Sequence, residues 1–166
     1  MKTYFASFLH FKQAFAKLCG GYAHVSGGNA CEALHCLTGW PTFKHSLKGP
    51  KVLDHDLLWS MLLSAFDSGQ VLCASTVDDK HACARKGLLE SHAYAVTIVC
   101  ELTDPFPGNV VRLLRLRNPH GRGGGWKGDW GEKSSKWNPE LKSACQALVH
   151  RSSGPGIGRS KWGGIT

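Results

Sequence analysis

Two residues of this chain, His92 and Asn118, are of the types that together hold and move a proton beside a nucleophile. Each sits in a distinctive phrase, Gly87-Leu88-Leu89-Glu90-Ser91-His92-Ala93-Tyr94-Ala95-Val96 and Arg115-Leu116-Arg117-Asn118-Pro119-His120-Gly121. An imidazole can take the proton of a thiol and later return one to a leaving group. An asparagine amide oxygen bound to its other ring nitrogen fixes the tautomer and the ring plane. The pair is therefore two members of a Cys-His-Asn set, and the cysteine is the member to be found.

The elements around the pair are those needed to bring it together. Segments 92–102 and 109–117 are rich in Val, Ile, Leu and Thr, and Asp104-Pro105-Phe106-Pro107-Gly108 carries turn chemistry between them. This pattern predicts a β-hairpin. In antiparallel neighbours the start of one strand lies beside the end of the next, so His92 and Asn118 are expected close in space.

Upstream, Tyr4, Phe8, Phe11, Phe15 and Leu18 recur every three or four residues and mark one face of a helix that Gly20-Gly21 stops. Residues 22–28 read as a turn-rich link. Asn29 can cap a short helix that ends at Thr38-Gly39, and Asp54 or Asp56 can cap a longer one carrying Leu57, Leu58, Met61, Leu62, Ala65 and Phe66. Residues 71–76 read as a buried strand, and the charged stretch 77–90 as a loop. After Asn118 come the glycine loop 121–125, the tryptophans Trp126, Trp130 and Trp137, a helix over 139–148, and a tail too poor in apolar residues to pack.

The chain has 166 residues, enough for one domain with a real core. Its formal charge of +8 bears on nonspecific association, but no aromatic-and-basic repeat or fingerprint accompanies it, which argues against nucleic-acid binding. Seven cysteines, at 19, 31, 36, 73, 83, 100 and 145, form no CxxC and leave one over in any complete disulfide set. That favours a reducing, intracellular setting, with the cytoplasm as the expected compartment. The apolar run at residues 4–11 is broken by Ser7 and His10, so it reads as an amphipathic helix rather than a signal peptide, and no run approaches a membrane span.

Four stretches, in order, resemble the calpain-type cysteine proteases. Lys12-Gln13-Ala14-Phe15-Ala16-Lys17-Leu18 with Gly20-Gly21-Tyr22, Ser26-Gly27-Gly28 and Leu37-Thr38-Gly39 is similar to the opening of the second half of that catalytic core. Leu57-Leu58-Trp59 through Gly69 to Ala74-Ser75-Thr76 is similar to the helix and strand that follow. His92-Ala93-Tyr94 with Val96 looks like the catalytic-histidine strand, and Arg115-Leu116-Arg117-Asn118-Pro119 with Gly121, Trp126, Gly128, Trp130, Ser134 and Trp137 looks like the asparagine strand and its sequel.

The resemblance implies an α+β fold, the second subdomain of a papain-like cysteine protease, with helices packed on an antiparallel sheet. It implies a partial catalytic domain over residues 1–148, a flexible tail over 149–166, and His92 and Asn118 as catalytic residues of an intracellular endopeptidase. The partners implied are a protein or peptide substrate and a first subdomain carrying the cysteine. In the family that cysteine lies in a Gly-x-Cys-Trp context; none of the seven cysteines here precedes a tryptophan. The expectation is a core cut just before its second half, which by itself does not hydrolyse peptide bonds. The alternative is a noncatalytic calpain-like module that binds peptides or a partner protein.

Two further departures shape expectations. His120 stands where the family usually has a tryptophan covering the His-Asn bond. Calcium is associated with the family, but around residues 123–125 this chain has only Asp129 and Glu132 nearby, so no local calcium site and no cofactor is expected. Zinc at Cys31, His35, Cys36 and His24 matches no standard spacing, His81 and Cys83 lack a third group, and Arg122 lacks a phosphate-loop context. The tryptophans read as core and loop anchors.

Overall fold

The computed structural model describes residues 2–50, 52–104, 108–121 and 125–152, with side chains from residue 10 to residue 148. The expected turn at 104–108 and glycine loop at 121–125 lie partly outside these residues, as does the expected tail; Tyr4 and Phe8 lie outside the described side chains. The chain divides into two compact units, residues 1–49 and 50–166.

The first unit contains helices α1 (Lys2–Leu18) and α2 (Ala30–Thr38), with a 3-10 turn at Tyr22–Val25 between them. The Asn29 side chain accepts the Cys31 N–H at the start of α2, and Gly39 ends the helix at φ 70°, returning its N–H to the His35 carbonyl. Both ends of α2 fall where the capping residues predict.

The second unit is built on a three-stranded antiparallel sheet in the order β1 (Leu72–Ser75), β2 (Ala93–Thr103), β3 (Val110–Arg117). Helix α3 (His55–Asp67) precedes β1, α4 (Lys80–Lys86) joins β1 to β2, and α5 (Pro139–Ser152) follows β3. With helices on an antiparallel sheet, the fold is α+β, as the resemblance implies. Of the two candidate caps of α3, Asp54 is the one used: its Oδ1 accepts the N–H groups of Asp56 and Leu57 at 2.9 and 3.0 Å.

Successive side chains of a strand point to opposite faces, and here both faces are covered. Ile98, Cys100, Leu102 and Leu113 join Trp130, Leu141 and Cys145 in one cluster, with α5 as its roof. Val99 and Leu114 pack with Trp59 of α3 in another. This two-sided burial explains why β2 and β3 read as nearly continuous apolar runs rather than strict alternations.

Two local expectations are corrected. β1 is not a buried strand: its residues alternate between half-buried and exposed. The stretch 77–90 is not simply a loop. Asp79 caps it by accepting the Ala82 N–H, Gly87 ends it at φ 75°, and Cys83 anchors α4 by burial. Charged side chains at Lys80, Arg85 and Lys86 hide the element from a hydrophobic-pattern reading. Gly87 is also required by contact, since a Cβ there would lie 2.0 Å from the Gly125 carbonyl oxygen.

Candidate active site

His92 immediately precedes β2 and Asn118 immediately follows β3. Their placement depends on a bulge that the sequence pattern does not announce. Along most of the hairpin Ile98 faces Arg115 and Val99 faces Leu114, but beyond a shift between Val96 and Ile98 the partners are Val96 with Leu116 and Ala95 with Arg117. Extended without the shift, the first register would set His92 opposite Gly121 and leave Asn118 on the other face. With the shift, the extended register sets His92 opposite His120, and Asn118, two residues earlier, shares its face. Leaving one residue out of the pairing thus gives the parity the pair needs. That residue, Thr97, donates its hydroxyl to the Arg115 carbonyl at 3.1 Å.

The result is a hydrogen bond of 2.9 Å between His92 Nε2 and Asn118 Oδ1. The same Oδ1 accepts the backbone N–H of His120 at 2.9 Å, which identifies it as the acceptor of the amide. Nε2 must then carry the proton in the neutral ring, and Nδ1 holds the lone pair. The arrangement leaves the proton-accepting nitrogen as the one not committed to Asn118.

Two rings bound the imidazole. His120 stacks on it with centroids 4.7 Å apart and planes 20° from parallel, and buried Tyr94 meets it edge-on at 4.9 Å and 83°. The Tyr94 hydroxyl accepts the Leu89 N–H at 2.9 Å, so it also ties down the segment leading to His92. Tyr94 was legible as a neighbour, since strand residues two apart share a face. The cover expected at His120 is present as a parallel stack, although His120 itself is exposed.

Other residues that could do chemistry are engaged elsewhere. His35 Nδ1 contacts the Trp40 carbonyl at 2.8 Å, His24 Nδ1 the Cys19 carbonyl at 3.0 Å, and Cys31 the Phe43 carbonyl at 3.6 Å. Cys83 is buried and directed at the Val77 carbonyl at 3.8 Å, while His81 is exposed. Arg122 lies outside the described residues. Trp130 is a buried anchor crossing Trp137 edge-on at 5.1 Å, and the indoles of Trp126 and Trp137 donate to loop carbonyls at Asp129 and Gly131.

Asp129 is paired with Lys136 at 2.7 Å, and among the described residues no group of three or more His, Cys, Asp or Glu side chains could hold a metal. Calcium takes six to eight oxygens. Among the described residues, no helix is long and apolar enough to cross a membrane.

Comparison with known proteins bears on the family. Residues 2–154 match the profile of the calpain family cysteine proteases. The chain is 36% identical over 132 residues to the rat (Rattus norvegicus) calpain-1 catalytic subunit, covering 76% of this chain and 17% of that protein. It is 32% identical over 131 residues to calpain-B of Drosophila melanogaster, covering 76% and 14%, and 35% identical over 130 residues to calpain clp-4 of Caenorhabditis elegans, covering 76% and 18%. The chain thus spans less than a fifth of the length of these relatives. With its sheet, its helices and its four matching stretches in order, the chain belongs to the calpain family of cysteine proteases.

Proposed function

We propose that residues 1–148 supply the His-Asn half of a calpain-type endopeptidase site, and that His92 and Asn118 are its catalytic base and orienter. The observation that carries this reading is the 2.9 Å contact between Nε2 and Oδ1, which leaves Nδ1 as the proton acceptor. The nucleophilic cysteine would come from a first subdomain set against Nδ1.

The chemistry follows from that division. An ordinary thiol, with a pKa of about 8.5, is mostly protonated at neutral pH. Transfer of its proton to Nδ1 gives a thiolate and an imidazolium, whose Nε2–H remains held by Asn118. The thiolate attacks the scissile carbonyl, and the Nδ1–H protonates the departing amine. The neutral ring then takes a proton from water, which cleaves the thioester and frees the thiol.

Protein or peptide substrates and an intracellular setting accompany this reading, supported by a cysteine set of odd number with no CxxC. We assign no calcium ion to this chain's own residues. The test is to join the chain to the cysteine-bearing first half of a calpain core and follow a fluorogenic peptide. Hydrolysis that disappears in His92→Ala supports the proposal; peptide binding without hydrolysis in the joined protein would instead indicate a noncatalytic module.

A further inference from the structure

The backbone on either side of His92 is held by one side chain that lies outside the pair, Thr76. It follows the last residue of β1, and the pairing of Ser75 with Ala93 places it opposite His92. Its hydroxyl accepts the His92 N–H at 3.0 Å and donates to the Leu89 carbonyl at 2.7 Å, with the His92 carbonyl a longer alternative at 3.2 Å. Its own N–H donates to the His92 carbonyl at 2.9 Å. A single residue therefore engages both polar groups of the His92 backbone and the carbonyl three residues before it.

This clamp matters because the intervening residue is not in a relaxed conformation. Ser91 has φ 43°, in the left-handed region that L side chains avoid. It is exposed, and its N–H is held by the Val77 carbonyl at 3.2 Å. A serine stays in that region only where its surroundings hold it. Return of Ser91 to negative φ would swing the His92 Cα–Cβ vector and carry the imidazole from Asn118, which follows a different strand.

We propose that Thr76 is a positioning residue for His92: its hydroxyl holds the 89–92 turn in the conformation that aims Nε2 at Asn118 and Nδ1 away from it. The functional meaning rests on the reading of His92 as the base, but the geometric claim does not. Threonine is suited to the task because one hydroxyl both accepts and donates, and its β-branch restricts χ1. Valine has nearly the same shape and neither capacity.

The experiment is nitrogen-15 spectroscopy of the 166-residue chain, following the His92 Nε2–H signal and exchange of the His92 backbone amide. In Thr76→Val the Nε2–H signal should disappear into exchange and the amide should exchange about tenfold faster, as expected on loss of one hydrogen bond. The Ile98 and Leu113 amides should keep their protection, and Thr76→Ser should restore both His92 signals. Three results would overturn the proposal: an unchanged His92 in Thr76→Val, no recovery in Thr76→Ser, or loss of the core amides together with the imidazole. These signals require neither a cysteine nor a substrate. A pinned imidazole in a joined protein that fails to hydrolyse would therefore count against the catalytic reading alone.

Discussion

His120 lies flat against His92, 4.7 Å between ring centres, while its backbone N–H holds the amide oxygen that His92 also uses. One residue thus shields the His-Asn hydrogen bond and orients its acceptor. Only the first role belongs to the side chain. His120→Ala should speed exchange of the His92 Nε2 proton about tenfold, and His120→Trp, with a larger apolar face, should slow it below the unsubstituted rate. Equal rates in all three proteins would show that the stack shields nothing.

The bulge at Thr97 makes a sharper prediction. Deleting Thr97 should remove the bulge while keeping Ile98 opposite Arg115 and Val96 opposite Leu116, so that His92 and Asn118 stay on one face. Nuclear Overhauser contacts across the sheet check this. Loss of the His92–Asn118 contact in the deletion would mean that Thr97 is not merely the unpaired extra residue of the bulge.

The core that supports the hairpin is concentrated in few residues. Leu113 of β3 is 1% exposed and packs in one cluster with Ile98 and Cys100 of β2 and Leu141 and Cys145 of α5. Leu113→Ala should cost about 2–5 kcal/mol in denaturant unfolding, the range for a buried leucine truncated in a core that relaxes only partly. A loss below about 1 kcal/mol would show the site to be far more yielding than its burial implies.

Acid should weaken α3 through its cap. Asp54 is held below the ordinary carboxylate value of 3.8, chiefly by the backbone N–H of Leu57 and then by that of Asp56. Because the folded value lies below the unfolded one, this contribution is fully present well above pH 3.8 and is lost as pH falls through the lowered folded value. Asp54→Ala should therefore be less stable than the parent chain at pH 7, with the gap narrowing at pH 3 and below. Urea melts across that range test the sign; a gap that widens toward acid would reverse it.

The thiols should separate by burial. Cys36 and Cys73 are exposed, whereas Cys83, Cys100 and Cys145 are buried. The Cys145 thiol, hydrogen-bonded to Cys100 and shut from water, is held far above its ordinary pKa. A disulfide reagent at neutral pH should modify Cys36 and Cys73 on the order of 100-fold faster than the buried three, with the difference abolished in denaturant. Comparable rates in the folded protein would contradict the described core.

The parts of this fold legible in the sequence are those whose local chemistry and burial agree. Asn29, Gly39 and Asp54 sit at helix ends that their side chains or backbone freedom define. Two-sided burial made β2 and β3 visible as apolar runs. α4 escaped because seven mostly charged and small residues bury little beyond Cys83, so its caps are stronger signals than its periodicity. The bulge left no mark because Thr97 is an ordinary strand residue. The hairpin pattern brought His92 and Asn118 near each other, but only the register shift puts them on one face. Thr76 was visible as part of a strand, while its bonds to His92 depend on a pairing that composition does not reveal.

We propose that His92, held by Asn118, sets the protonation of a cysteine supplied by a first subdomain. Its most direct test is the pH dependence of iodoacetamide alkylation at that cysteine in the joined protein. Rapid alkylation should persist down to about pH 5, far below the value of about 8.5 at which a free thiol half-ionises, and His92→Ala should restore ordinary thiol behaviour. Identical profiles with and without the His92 imidazole would show that His92 does not set the protonation of that thiol.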